Sequence, residues 1–125
     1  MNWNEYQAWV VSKMRKDLGP MDLAKNMALG LAGEAGECAD HIKKGAYHGK
    51  PIDRNKMTKE LGDTLFYLAG LAAVNQIELA DVVQGNVLKL EARYPNGFDP
   101  LRAHAPGEIP VEEIEAETIE ITKAA

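Results

Sequence analysis

The stretch that decides the fold reads GLAGEAGECADH and occupies residues 30–41. At about 100° per residue its apolar side chains fall on one side of a helix, which predicts an amphipathic α-helix. Two acidic residues, Glu34 and Glu37, lie at the edge of that side and one turn apart, so they are neighbours that repel unless something positive lies between them. The apolar stripe consists of Met27, Leu31, Cys38 and Ile42.

Three glycines in the same helix are equally unusual. Gly30, Gly33 and Gly36 recur every three residues beside the two acids. Each glycine inside a helix costs about 1 kcal/mol relative to alanine. Their position beside a carboxylate pair predicts that another backbone or a ligand comes close to this helix.

A second carboxylate pair follows in KELGDTLFY, residues 59–67. Glu60 and Asp63 share a helical sector with Tyr67, which predicts a semi-buried surface rather than a solvated face. One such pair alone is ordinarily a solvated face, but two pairs on different helices of a small bundle favour a divalent cation that holds the charges together. The main apolar stripe of this helix is predicted to be Met57, Leu61, Leu65, Leu68 and Ala72.

The chemistry of these ligands points to a hard metal ion. Carboxylate oxygens suit Mg²⁺, with Mn²⁺ as a possible substitute. Di-iron bundles use Glu-x-x-His pairs, and this sequence contains none. Because Mg²⁺ commonly meets substrate phosphates, phosphoanhydride or phosphate-ester chemistry is the natural class.

The sequence outside these motifs also reads as helices, which predicts an all-α, four-helix-bundle type of fold. Glycine and proline residues mark the connections. The first helix is expected to be capped by Asn2 or Asn4 and to end near Gly19-Pro20. The second helix is expected to be capped by Asp22 and to run to about Lys44, and a loop over 45–52 follows it. The third helix is expected to be capped by Asp53 and to span 54–75, and the fourth is expected to span 77–94.

Composition limits the remaining possibilities. A chain of 125 residues is the size of one domain. The single cysteine, Cys38, allows no disulfide within the chain, and the N-terminus lacks a signal-peptide pattern, so a cytoplasmic protein without a membrane span is expected. The net charge of −5 argues against a nucleic-acid partner.

The acidity is confined to the C-terminal end. Residues 108–125 contain six Glu and one Lys, a sum of −5, so residues 1–107 are neutral. We therefore expect a helical domain over 1–99 and a linker with an acidic tail over 100–125. The tail is compatible with a short helix from Pro110, a strand over 118–122 or a poorly ordered segment.

Cations for phosphate binding are found on the fourth helix. Asn86, Lys89 and Arg93 are spaced three and four apart and so share one face, with Tyr94 next. A second basic cluster follows the first acidic pair and consists of Lys43, Lys44, His48 and Lys50. Four aromatic residues either stack on a base or belong to the core, and these are Trp3, Tyr6, Trp9 and Tyr67.

Three segments together resemble the MazG family of all-α nucleoside triphosphate pyrophosphohydrolases. They are GEAGE at 33–37, ELGD at 60–63 after 22 intervening residues, and NVLKLEARYPNGF at 86–98. The resemblance spans about residues 20–99. It implies a MazG-like helical fold that assembles as a homodimer or homotetramer and hydrolyses a (d)NTP to (d)NMP and pyrophosphate with Mg²⁺.

The resemblance also implies roles for individual residues. Glu34, Glu37, Glu60 and Asp63 correspond to the metal ligands, and Asn86, Lys89, Arg93 and Tyr94 to the substrate-binding residues. We expect Glu37 to be the general base that activates the water, with Glu34 as the second choice. The alternatives are a related phosphoribosyl-ATP or dUTP/dCTP hydrolase, or a helical module that binds nucleotide or metal without cleaving it.

Overall fold

The computed structural model describes residues 1–103, which form four helices. These are α1 (Trp3–Lys13), α2 (Pro20–His48), α3 (Arg54–Val74) and α4 (Leu79–Arg93). Within 1–103 there is no β-strand, only an isolated bridge between Pro95 and Gly97, so the all-α prediction is confirmed. None of these helices is by itself both long and apolar enough to cross a membrane. Most of the predicted linker and acidic tail, residues 104–125, lies outside the described part.

Helix α1 begins as predicted but ends early. Asn2 and Glu5 form a reciprocal cap, in which each side chain accepts the other's backbone N–H at 2.8 Å. The predicted end near Gly19-Pro20 is wrong, because the chain turns extended at Met14 (ψ 156°). That turn directs the Met14 side chain into the core, where it is 9% exposed. Burial of this side chain therefore outweighs continuation of the helix.

Helix α2 begins two residues before the predicted Asp22 cap and ends four residues after Lys44. Pro20 occupies the first turn, where its fixed φ suits a helix and its missing N–H costs nothing. Asp22 instead lies inside the first turn, where a negative charge is favourable. At the other end Gly49, at φ 63°, terminates the helix and donates its N–H to the Lys44 carbonyl.

Helix α3 begins as predicted and runs antiparallel to α2. The Asp53 carboxylate accepts the N–H groups of Asn55 and Lys56 at 2.9 and 3.1 Å. The backbone N–H of Asp53 in turn donates to Nε2 of the buried His41 on α2, at 2.9 Å. This contact closes the reversal between the two helices and fixes their register.

The core is formed where α1, the first half of α2, the second half of α3 and the start of α4 meet. Its buried members are Val10, Met14, Met27, Ala69 and Leu79. Two residues expected on apolar stripes are instead half exposed, Ile42 at 51% and Leu61 at 55%. Those two predictions are wrong because, among residues 1–103, no helix covers that side of the α2–α3 pair.

Helix α4 turns away from the rest of the molecule. It starts at Leu79, two residues later than predicted, after Gln76 adopts a left-handed φ of 58°. The axes of α3 and α4 are bent by 103°, and no Cα atom of α4 lies within 8 Å of one in α2. Leu79 is the only buried residue of α4. The far end of α4 therefore projects from the chain.

Candidate active site

The two acidic pairs are brought together by the close antiparallel packing of α2 on α3. A Cβ atom on Gly30 would overlap the Tyr67 ring, and one on Gly70 would lie 2.5 Å from Met27 Sδ. Only glycine allows the helices to approach this closely at those points. The sequence predicts another backbone or a ligand close to α2; at Gly30 the close neighbour is instead the side chain of Tyr67.

The other two glycines of α2 have a different surrounding. A Cβ atom on Gly33 or Gly36 would meet nothing within 4 Å. At about 100° per residue Gly33 lies about 40° from Glu37 around α2, whereas Gly36 is turned about 160° away from Glu34. Of the two, Gly33 is the one that leaves the helix surface beside the acids without a side chain from residues 1–103.

Three of the four predicted metal ligands converge. Glu34, Glu60 and Asp63 each offer a carboxylate oxygen, and these three atoms lie within 4.8 Å of one another. Glu34 and Glu60 are half buried, whereas Asp63 is exposed. Oxygen atoms grouped in this way match the ligand preference of Mg²⁺.

The electrostatics of this cluster are suited to binding a cation. Burial raises the pKa of Glu34, and the charges of Asp63, Glu60 and Glu37 raise it further, together with a hydrogen bond to Glu60. The protein alone therefore disfavours the charged form of a group that it has placed next to other carboxylates. A divalent ion between them would reverse that preference, so the donor set fits the metal that the sequence predicts.

Glu37 lies beside the cluster rather than in it. Its side chain is exposed and is not among the three grouped carboxylates. Its charge nevertheless acts on Glu34 on one side and on Lys44, two helical turns further along α2, on the other. Glu37 is thus near enough to interact with the site and is open to solvent.

The basic cluster predicted near α2 is partly organised by a residue that the sequence analysis did not single out. Asp40 pairs with Lys44 at 2.6 Å and with Lys43 at 3.4 Å. These contacts lower the pKa of Asp40 and raise that of Lys44. The i, i+3 and i, i+4 spacings are the sequence signal from which these pairs could have been found.

Aromatic side chains lie on the α1 side of the acids. Tyr6 stacks on Trp9 at 5.9 Å, and Trp9 contacts the edge of Phe66 at 6.4 Å. Burial raises the pKa of Tyr6, and the charge of Asp63 adds to this effect. Tyr6 therefore lies close to the acidic cluster, while 46% of Trp9 remains exposed.

The predicted substrate-binding residues lie elsewhere in the chain. Asn86 and Lys89 are exposed on α4. The carbonyl of Arg93 accepts a hydrogen bond from Arg102 at 3.1 Å, and the Tyr94 ring contacts the ring of Phe98. From the helical rise and the 103° bend, the Cα atoms of Asp63 and Lys89 are about 20 Å apart. One chain does not bring these residues to its own acids.

Comparison with known protein families gives one match that covers most of the chain. The family model of the MazG nucleotide pyrophosphohydrolase domain matches residues 23–98, a span that includes all four acids and the start and body of α4. The chain belongs to this family.

A phage protein of known sequence is also related to this chain. The chain is 36% identical over 75 residues to the "Gene 37 protein" of Mycobacterium phage L5, an alignment that covers 57% of this chain and 66% of that protein, just under two thirds of its length. No solved structure gives a significant match.

Proposed function

We propose that this protein is a Mg²⁺-dependent nucleoside triphosphate pyrophosphohydrolase that cleaves a (d)NTP to (d)NMP and pyrophosphate by attack of water at the α-phosphorus. The observation that carries the proposal is the convergence of Glu34, Glu60 and Asp63 from two helices, within a domain of the MazG family. Three carboxylates placed together have no structural benefit of their own, because they repel.

The acids take different roles in this proposal. Glu34, Glu60 and Asp63 hold the metal, with Mn²⁺ as a possible substitute, and Glu37 completes the set from the side. When bound, the ion neutralises phosphate charge and polarises the attacking water. Glu37 accepts the proton from that water at a carboxylate oxygen, since it is exposed and not engaged in the cluster. Glu34 is the alternative base.

The open surface at Gly33 supports a place for the triphosphate. A phosphate chain that lies there approaches the backbone of α2 without meeting a side chain. This position is next to Glu34 and Glu37, where the reaction is proposed to occur.

The substrate-binding residues of α4 require a second copy of the chain in this proposal. Asn86, Lys89, Arg93 and Tyr94 are too far from the acids of their own chain. Apolar residues on the same helix, including Leu88 at 59% exposed and Val87 at 47%, are available for contact with another protomer. A homodimer or homotetramer in which α4 reaches the acids of a neighbour brings both halves of the site together.

The test is hydrolysis of a panel of canonical and damaged (d)NTPs, with Mg²⁺ and with chelator, in which both products are identified. We expect (d)NMP and pyrophosphate with Mg²⁺ only. Glu37→Gln and Asp63→Asn should abolish turnover and leave the protein folded, whereas Asp22→Asn, an exposed acid at the start of α2, should not. Retention of most activity in both site variants would contradict the assignment.

The same panel separates the alternatives. Preferred cleavage of phosphoribosyl-ATP, or of dUTP or dCTP alone, would assign the protein to a related hydrolase. Intact nucleotide after long incubation with Mg²⁺, together with a raised melting temperature, would instead indicate a module that binds without cleavage.

A further inference from the structure

Gln7 connects three elements through one buried side chain. Its Nε2 donates to the Ala69 carbonyl on α3 at 3.3 Å and to the Ile77 carbonyl in the following turn at 2.9 Å. Its Oε1 accepts the N–H of Leu79, the first residue of α4, at 3.0 Å. Gln7 itself is 9% exposed. Both ends of its amide are thus used to join α3, the turn and α4.

Asn4, one turn earlier on α1, makes the second connection. Its Oδ1 accepts the N–H of Ala80 at 3.1 Å, and its Nδ2 donates to Glu78 Oε2 at 3.2 Å. Glu78 is the N-cap residue of α4 but makes no capping hydrogen bond with its own side chain. The first N–H groups of a helix need partners from outside the helix. For α4 two of them come from α1, more than 70 residues away in the chain.

Within residues 1–103 of one chain, the packing of α4 is sparse. Leu79 is its only buried residue, and it makes no close approach to α2. Near its far end, the carbonyl of Arg93 accepts a hydrogen bond from Arg102. An open cavity of about 500 Å³ runs along the same junction, between α1 and the turn that contains Gln76. The hydrogen bonds of Gln7 and Asn4 therefore join the start of α4 to α1 and oppose a tilt of α4 at this junction.

We propose that Gln7 and Asn4 are positioning residues, which fix the direction of α4 and thereby place Lys89 and Arg93 for the substrate. The second half of this statement rests on the proposed function. Helix α4 has 15 residues and is about 22 Å long, so a tilt of roughly 10° at its start moves its far end by about 4 Å. Such a displacement is enough to separate a basic side chain from a phosphate oxygen.

The experiment uses Gln7→Met in the full chain, because methionine has a similar shape and makes none of the three hydrogen bonds. Amide hydrogen exchange measured by mass spectrometry should accelerate at least tenfold in α4 and stay unchanged in α2 and α3. kcat/KM for the best nucleotide should fall at least tenfold, chiefly through KM. The rise in melting temperature caused by Mg²⁺ alone should persist. Gln84→Met, an exposed residue of α4, is the matched control and should change none of these.

Two outcomes would overturn the proposal. One is unchanged exchange in α4 or unchanged kcat/KM in Gln7→Met. The other is faster exchange throughout the chain with loss of the Mg²⁺ effect, which would make Gln7 an ordinary core residue.

If Gln7→Met does not fold, Asn4→Ala applies the same tests with a smaller change in the same direction, and full kcat/KM in that variant overturns the proposal. If the wild-type protein cleaves no nucleotide, the proposed function fails, and exchange in α4 still decides whether Gln7 holds the helix.

Discussion

Glu34 is the residue at which the like charges of the site act together. Its pKa is raised first by burial and then by three acidic neighbours. Because the pKa in the folded state lies above that in the unfolded chain, the folded protein binds more protons between the two values. The contribution of Glu34 to the free energy of unfolding therefore falls as pH rises through the window from the unfolded pKa to the folded pKa. Above the folded pKa, the full destabilising effect of the charged Glu34 is present.

Replacing Glu34 with glutamine should remove this penalty. We expect Glu34→Gln to raise the stability of the metal-free protein at neutral pH by about 0.5–1 kcal/mol, the sum of two or three relieved like-charge contacts. The gain should disappear at a pH below the window, and stabilisation by Mg²⁺ should be lost. Urea unfolding with chelator and with Mg²⁺ measures both effects, with Glu91→Gln, an exposed acid on α4, as control. A variant that is no more stable and still responds fully to Mg²⁺ would refute this account.

The sequence was most informative about residues whose roles depend on local spacing. The grouping of Glu34, Glu60 and Asp63 could be predicted, because carboxylates placed together beside apolar stripes repel one another unless a cation lies between them. Gln7 could not, since a glutamine on a helix is ordinary and its partners lie 62 to 72 residues away. The separate position of Glu37 depends on the angle between two packed helices, which spacing alone does not give.

At the scale of the element, the glycines of α2 serve two purposes. Gly30 allows the Tyr67 ring to pack directly on the helix backbone, whereas Gly33 faces open space. In sequence the two positions look alike, so only the structure distinguishes a packing glycine from one that leaves a surface bare.

Alanine at these two positions should have opposite effects. Gly30→Ala should destabilise the protein by about 1–3 kcal/mol, because the added methyl group overlaps the Tyr67 ring. Gly33→Ala should stabilise it by up to about 1 kcal/mol through helix propensity. If the triphosphate uses the bare surface, Gly33→Ala should also raise KM. Urea unfolding and steady-state kinetics of the pair decide, and equal stabilities would contradict the packing.

The cap of α3 gives a second prediction at this scale. Asp53→Ala should cost about 1 kcal/mol, since two N–H groups lose their acceptor. Backbone hydrogen bonds lower the pKa of Asp53, so its contribution is present above the unfolded pKa and is lost as pH falls through the folded value. Urea unfolding should therefore give converging stabilities for wild type and variant in acid. A constant difference at all pH values would contradict the role of the charge.

The existence and order of the helices could be predicted, and so could the start of α1 and both ends of α3 to within one residue, but not the C-terminal ends of α1 and α2. Hydrophobic periodicity and turn residues identify four segments. The early end of α1 depends on burial of Met14, a tertiary contact that outweighs local preference. Helix α2 continues past Lys44 to the left-handed Gly49, where Ile52 also packs against Gly45.

For the whole molecule, the separation of acids and cations within one chain decides how the site is assembled. In the proposed oligomer each active site combines α2 and α3 of one protomer with α4 of another. Symmetry then requires two equivalent sites in a dimer.

Mixing two inactive variants tests this arrangement. Asp63→Asn lacks a metal ligand and Lys89→Ala lacks a phosphate contact, so each alone should be inactive. In an equal mixture half of the dimers are mixed, and one of their two sites contains both native residues, which restores about a quarter of wild-type activity. Exchange of subunits is verified by native mass spectrometry. Absence of recovery in verified mixed dimers would place both residues in one chain's site.

The hairpin that presents the acids is closed at its far end by an imidazole that accepts a hydrogen bond. Nε2 of His41 receives the Asp53 N–H at 2.9 Å, so a side chain of α2 fastens the first residue before α3. A ring that occupies position 41 therefore has a mechanical consequence seven residues away, because the alignment of Glu34 opposite Glu60 depends on where the chain reverses. Replacing His41 with an apolar residue of similar size would leave that amide without its acceptor and loosen the bend.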